Sequence, residues 1–216
     1  MIERGILEGD FNRKLIQRRA FNHIVLINKN FLQKGAFIMQ SASPQKRLYT
    51  IDDIYALPEG SRAELIDGQI YYMAPPSRTH QRLVHLFDRT IGNYIQTNGG
   101  KCEVYPAPFA VYLDQDDLNY LEPDISVICD PSKLDEKGCH GAPDWVIEIV
   151  SESSRRMDYA IKLFKYRSAG VREYWIVDPL KHRSTVYNFQ HDTMDEYSFE
   201  EEMPAGIYEG FCIKLR

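Results

Sequence analysis

From Thr50 onward the chain alternates between two hydrophobic periods. In the run IDDIYAL, Ile51, Ile54, Tyr55 and Leu57 fall at near-helical spacing behind Thr50, a plausible helix cap, and Pro58 and Gly60 end the turn. RAELIDGQIYYM then places Asp67-Gly68 between two apolar, β-prone runs, which predicts a hairpin with a tight turn and puts Glu64 on a strand. Residues His80 to Gln96 carry Leu83, Leu86, Phe87, Thr90, Ile91, Tyr94 and Ile95 on one stripe, an amphipathic helix stopped by Asn98-Gly99-Gly100. Cys102 to Leu113 reads as one aromatic, β-branched strand interrupted by Pro106 and Pro108. Short buried strands follow at Asp124 to Cys129 and Asp144 to Ser151, then a helix from about Arg155 to Ala169 ending at Gly170, and a strand from Glu173 to Asp178. Two or three further strands in the acidic tail complete an α/β (α+β) arrangement built on a mixed sheet flanked by helices.

A length of 216 residues suits one domain with a modest extension. The linker-like QSASPQK (Gln40 to Lys46) divides the chain into a basic extension, 1–46, and a patterned domain, 47–216. Residues 1–38 hold seven Lys/Arg against three Asp/Glu, and because Met39 follows, they are expected to be an upstream-start artefact or a poorly ordered arm. The rest is acidic, with 19 basic and 28 acidic residues out of 26 and 31 in all, an awkward balance for DNA binding. No stretch approaches the roughly 20 apolar residues of a membrane helix, and no secretory signal is supported, so a cytoplasmic protein is expected. The four cysteines form no CxxC pair, which argues against a zinc module; in a reducing compartment a disulfide framework is not expected either.

Chemistry concentrates in two strands. WVIEIV (Trp145 to Val150) is almost continuously apolar, as in a strand covered on both faces, yet Glu148 interrupts it. A buried carboxylate needs a cation, a basic partner or a proton. Asp124, leading into ISVIC, poses the same problem in a second strand, and a shared Mg²⁺ (or Mn²⁺) would answer both. Lys162 lies about 9 Å into the following helix. Glu148 lies about 10 Å before the end of its strand, so the two stand at similar height. Helix geometry leaves two readings of Lys162 open: an ammonium beside the carboxylates, or a surface pair with Asp158. Arg155, Arg156, Lys162, Lys165, Arg167 and Arg172 gather positive charge near one helix, a candidate phosphate-facing rim.

The succession ELIDG, MAPP, EPDISVI and PDWVIEIVSESSRRMDYAIKLFKYRSAGVREYWIVDP resembles the Uma-two family of restriction-endonuclease-like proteins, within the PD-(D/E)xK nuclease superfamily, over roughly residues 47–190. The resemblance implies a restriction-endonuclease-like core and maps the family's proline-aspartate onto Pro123-Asp124 and its strand acid onto Glu148. The lysine expected two positions later is replaced by Val150, which implies that its role has moved to Lys162, with Lys165 as the fallback. The family's early glutamate falls on Glu64 and its histidine on His80, a residue placed to contact phosphate. On this reading Asp124, Glu148 and the main-chain carbonyl of Ile149 hold Mg²⁺, Glu64 orients the attacking water or completes a second site, and Lys162 helps position that water. The expected substrate is DNA, and a homodimer is the expectation carried by analogy with nucleases whose subunits each cut one strand. Two other readings stay open from sequence: a non-catalytic nucleic-acid- or protein-binding module on the same fold, and a metal hydrolase of another phosphoester.

Overall fold

The computed structural model describes residues 47–114 and 116–216; the expectation for the basic extension 1–46 lies outside the described residues. The domain begins with helix α1 (Ile51–Tyr55), where the Asp53 carboxylate accepts the Thr50 N–H at 2.8 Å. Strands β1 (Ala63–Ile66) and β2 (Gln69–Tyr72) form the expected hairpin. Its turn residues, Asp67 and Gly68, both take positive φ (49° and 68°), the backbone that suits the right-handed twist of the flanking strands. Helix α2 (Arg78–Thr97) starts slightly earlier than the hydrophobic stripe, because Ser77 caps it by accepting the His80 N–H at 3.2 Å.

The region expected as one strand from Cys102 to Leu113 is two. Strand β3 (Glu103–Pro106) pairs antiparallel with β5 (Ile125–Ile128), whereas β4 (Val111–Tyr112) leaves for a separate three-stranded sheet with β6 (Leu134–Asp135) and β7 (Gly138–His140). Pro106 and Pro108 have no N–H to give, so the ladder cannot run through them. Cys102 and Cys129 are joined by a disulfide, contrary to the expectation that the cysteines form no disulfide framework. These residues flank the paired ends of β3 and β5, Glu103 lying opposite Ile128, a proximity that their separation of 27 residues in sequence conceals.

The central sheet adds β8 (Trp145–Ile149), β9 (Glu173–Asp178), β10 (Arg183–Asn188) and β11 (Thr193–Ser198), in the order β11-β10-β9-β8-β5-β3. Only β8 and β9 are parallel in it, so the sheet is mixed. A parallel neighbour requires a crossover, and the segment between them is a π-helical turn (Met157–Lys162) continued by helix α3 (Leu163–Ala169), which ends at Gly170 with φ 94°.

Every residue of β8 is buried, because both of its faces are covered. Trp145, Ile147 and Ile149 pack with Leu83, Phe87 and Ile91 of α2. The alternate residues Val146 and Val150 pack with Tyr166, Tyr174 and Ile176 on the crossover side. Strand alternation therefore sends Glu148 toward the crossover helix. A short hairpin, β12 (Met203–Pro204) with β13 (Cys212–Ile213), closes the first of these cores. Among the described residues, no helix is long and apolar enough to cross a membrane.

Candidate active site

The register Ile125↔Ile147 between β5 and β8 carries Asp124, one residue before β5, up to the level of Glu148. Its Oδ2 accepts the Ile149 N–H at 2.8 Å and lies 3.0 Å from His80 Nε2, which therefore carries the ring proton in this contact. His80 comes from the first turn of α2, while its Nδ1 is buried without a partner.

Glu148 points from β8 into a closed cluster. The Lys162 ammonium donates to Glu148 Oε1 and to Glu64 Oε1, both at 2.9 Å, and Tyr166 donates its hydroxyl to the same Glu148 oxygen at 2.8 Å. Glu64 Oε1 also accepts the Glu122 N–H at 3.0 Å, which fixes β1 against the chain entering β5. Glu64, Glu148 and Lys162 are each 4% exposed and Asp158 2%. Asp158 Oδ1 lies 3.8 Å from Lys162 Nζ and has no hydrogen-bond partner. The two readings of Lys162 thus merge: it meets the strand carboxylates and also faces the acid one turn earlier, inside the protein instead of on its surface.

The π turn accounts for this convergence. Four residues of a π-helix, with about 4.4 residues per turn, fall about 30° short of a full revolution, whereas four residues of an α-helix overshoot by about 40°. Passing from one to the other at Lys162 keeps Asp158, Lys162 and Tyr166 on a single stripe. A continuous α-helix would rotate Asp158 about 80° away from Tyr166. The Tyr174 hydroxyl donates to the Asp158 carbonyl at 3.1 Å, tying the π turn to β9.

Burial pushes the Glu148 carboxyl well above its ordinary range; the Lys162 ammonium opposes this, and Asp158, Asp124 and Glu64 reinforce it. Asp158 is raised for the same reason. Burial alone would discharge Lys162, but the charges of Glu148, Glu64 and Asp158 outweigh it and hold the ammonium protonated far into the alkaline range. Three carboxyl groups, those of Glu64, Glu148 and Asp158, thus share one ammonium, and the cluster has more acidic than basic groups to balance.

The remaining predicted residues lie elsewhere. Lys165 pairs with Asp67 of the β1–β2 turn, outside the cluster. Arg155 is held by Asp178, whose side chain is fully buried. Arg167 pairs with Asp192 and Arg172 with Asp144, while Arg156 is exposed. The expected basic rim is therefore largely paired in place, although pairs of exposed groups such as Arg167–Asp192 are worth only about 0–1 kcal/mol and exchange readily. Among the described residues, no three His, Cys, Asp or Glu side chains converge as a ready-made metal cage. From sequence Asp158 is only a candidate surface partner and Tyr166 carries no catalytic assignment; their spacing of four residues on either side of Lys162 is the available signal.

Comparison with known proteins agrees with this architecture. The crystal structure of "a putative nuclease belonging to DUF820" from Anabaena variabilis ATCC 29413 superposes with a TM-score of 0.63 at 20% identity, covering 77% of this chain and 94% of that one, a likeness of fold. The "Uncharacterized protein slr1290" of Synechocystis sp. is 27% identical over 130 residues, 60% of this chain and 67% of its own length. Residues 51–211, which include Glu64, Asp124, Glu148 and Lys162, match the model of the Uma2 family, described as "Putative restriction endonuclease", and the chain belongs to that family.

Proposed function

We propose that the domain is a Mg²⁺-dependent endonuclease that hydrolyses DNA phosphodiester bonds. The observation that carries this reading is the Lys162 ammonium shared between Glu148 and Glu64, with Asp124 in register on the adjacent strand. Membership in the Uma2 family supports a nuclease, and the proposal adds the metal, the substrate and the roles of the residues.

The donor set fits a hard divalent ion. Among the described residues, no protein hydrogen bond engages Glu148 Oε2, Asp124 Oδ1 or Glu64 Oε2, since the bonds to these groups all fall on the other oxygen. Asp124, Glu148 and the Ile149 carbonyl would hold the ion. Two carboxylates and a carbonyl suit Mg²⁺, which keeps several of its waters, and so the lack of a three-side-chain cage is compatible with it. When bound, such an ion supplies charge neutralisation at the phosphate and acidifies water. The chain's own groups do the rest. The Lys162 donor now held by Glu148 would, once released, orient the attacking water or a phosphate oxygen, Glu64 would accept from that water, and His80 would hold Asp124 in place and reach toward phosphate.

Incubation of purified protein with supercoiled plasmid and either Mg²⁺ or Mn²⁺ should yield nicked or linear product, abolished by chelation. A set of small phosphoesters in the same assay distinguishes a hydrolase of another substrate. Metal binding should also raise Tm, and more at about pH 8 than at about pH 6, because protons compete for the same oxygens. The sign follows from the raised carboxyl of Glu148: the folded protein keeps that proton to higher pH than the unfolded chain does. Stability of the metal-free protein therefore falls as pH rises from the ordinary carboxylate range toward the raised value. A metal effect that shrinks with rising pH would contradict the proposal.

A further inference from the structure

We propose that Asp158 is a positioning residue for Lys162, the acceptor that keeps the ammonium in place when Glu148 is engaged elsewhere. The engagement of Glu148 elsewhere and the role of Lys162 in cleavage rest on the nuclease reading above; the hold of Asp158 on the ammonium does not.

A lysine ammonium has three donors. Two are spent on Glu64 Oε1 and Glu148 Oε1 at 2.9 Å. Asp158 Oδ1, 3.8 Å away, is buried without a hydrogen bond. The gap is too long for a hydrogen bond and too short to admit a bridging water, so a shift of the flexible lysine stem by about 1 Å supplies the third contact. A carboxylate oxygen buried without a partner is costly, and Lys162 carries the cation nearest to it.

Glu148 and Glu64 both have other work in the proposed reaction, one beside the ion and one beside the water. If Glu148 held a divalent ion, its negative charge would be shared and its hold on the neighbouring ammonium would weaken. Asp158 is on the same helical stripe as Lys162, is fixed through its carbonyl to Tyr174, and belongs to neither group of ligands. It is therefore free to retain the lysine throughout.

The test uses the full chain labelled with ¹⁵N-lysine. Exposed lysine ammonium protons exchange too fast to be observed near neutral pH in the cold, whereas the buried Lys162 group should give a protected ¹H–¹⁵N signal, assigned by its disappearance in Lys162→Arg. In Asp158→Asn that signal should exchange at least ~10-fold faster, and kcat for plasmid cleavage should fall about 10-fold with KM changed less than about 2-fold. A purely structural role for Asp158 would lower Tm and leave the signal unmoved. The proposal is overturned by an unprotected Lys162 in the wild-type protein, or by unchanged exchange in Asp158→Asn; Asp158→Ser replaces Asn should the latter not fold. If the wild-type protein cleaves nothing with Mg²⁺ or Mn²⁺, the nuclease reading fails while the exchange measurement still decides the role of Asp158.

Discussion

Asp124→Asn and Glu148→Gln should each reduce Mg²⁺-dependent plasmid cleavage by about a thousandfold or more, the scale expected when transition-state charge stabilisation at one centre is lost. The choice of amides matters for interpretation. Asn at position 124 retains an oxygen to accept the Ile149 N–H, and Gln at 148 retains one for Lys162 and Tyr166, so the hydrogen-bond frame survives. Asp124→Asn removes a negative charge from a cluster rich in acids, and Glu148→Gln puts a neutral amide where burial already favours the protonated carboxyl, so Tm should fall by only a few degrees or even rise. The rise in Tm on adding Mg²⁺ should be lost together with cleavage, since both depend on the same oxygens. Cleavage undiminished in either variant would refute the assignment. Loss of cleavage with the full Mg²⁺ stabilisation retained would move the ion to other ligands.

Lys162→Met should be the most destabilising single change in the site. Removing one partner of a buried ion pair costs about 3–5 kcal/mol, because the carboxylates left behind have lost their counter-charge. For a domain of this size that corresponds to a fall in Tm of about 6–20 °C. Methionine nearly matches the lysine stem in volume, so the loss reports charge and not a cavity. Mg²⁺ should recover part of the lost stability, since a divalent ion can offset the same carboxylates. Lys162→Arg keeps the charge and should lose far less. A Tm unchanged within about 2 °C in Lys162→Met would mean that the carboxyls are already neutral and that the ammonium has little to balance.

Much of this architecture is legible in the sequence because local patterns suffice for it. Asp67-Gly68 specifies the hairpin turn, the stripe from Leu83 to Ile95 specifies α2, and the apolar run around Glu148 marks a strand with two covered faces. Glu148 and Asp124 stand out as carboxylates in the wrong surroundings, which is why they can be found without knowing the fold. What is not legible depends on pairing between distant segments. The Cys102–Cys129 bond follows from β3 lying beside β5, and the split of the 102–113 region follows from β4 joining another sheet. The π turn is likewise hidden. Its residues, Met157 to Lys162, carry no sequence mark of the wider winding, within which Asp158 and Lys162 are both buried. Lys165 illustrates the opposite error: counted as part of a basic rim, it is drawn instead to Asp67, on a turn 98 residues earlier in the chain.

Sequence separation also orders the assembly of the charge cluster. Lys162 is 14 residues from Glu148 but 98 from Glu64, and short loops close at lower entropic cost than long ones. A folding chain that had formed only the β8–crossover–β9 unit would hold one strand acid against one ammonium, with Asp158 alongside. The arrival of the β1–β2 hairpin, and of Asp124 with β5, then brings in further negative charge with no additional lysine. On the proposed reading, affinity for a divalent cation would be a property of the finished domain and not of its earliest folding unit, so that a partly folded chain would be spared from gripping metal, or cutting nucleic acid, before its architecture is complete.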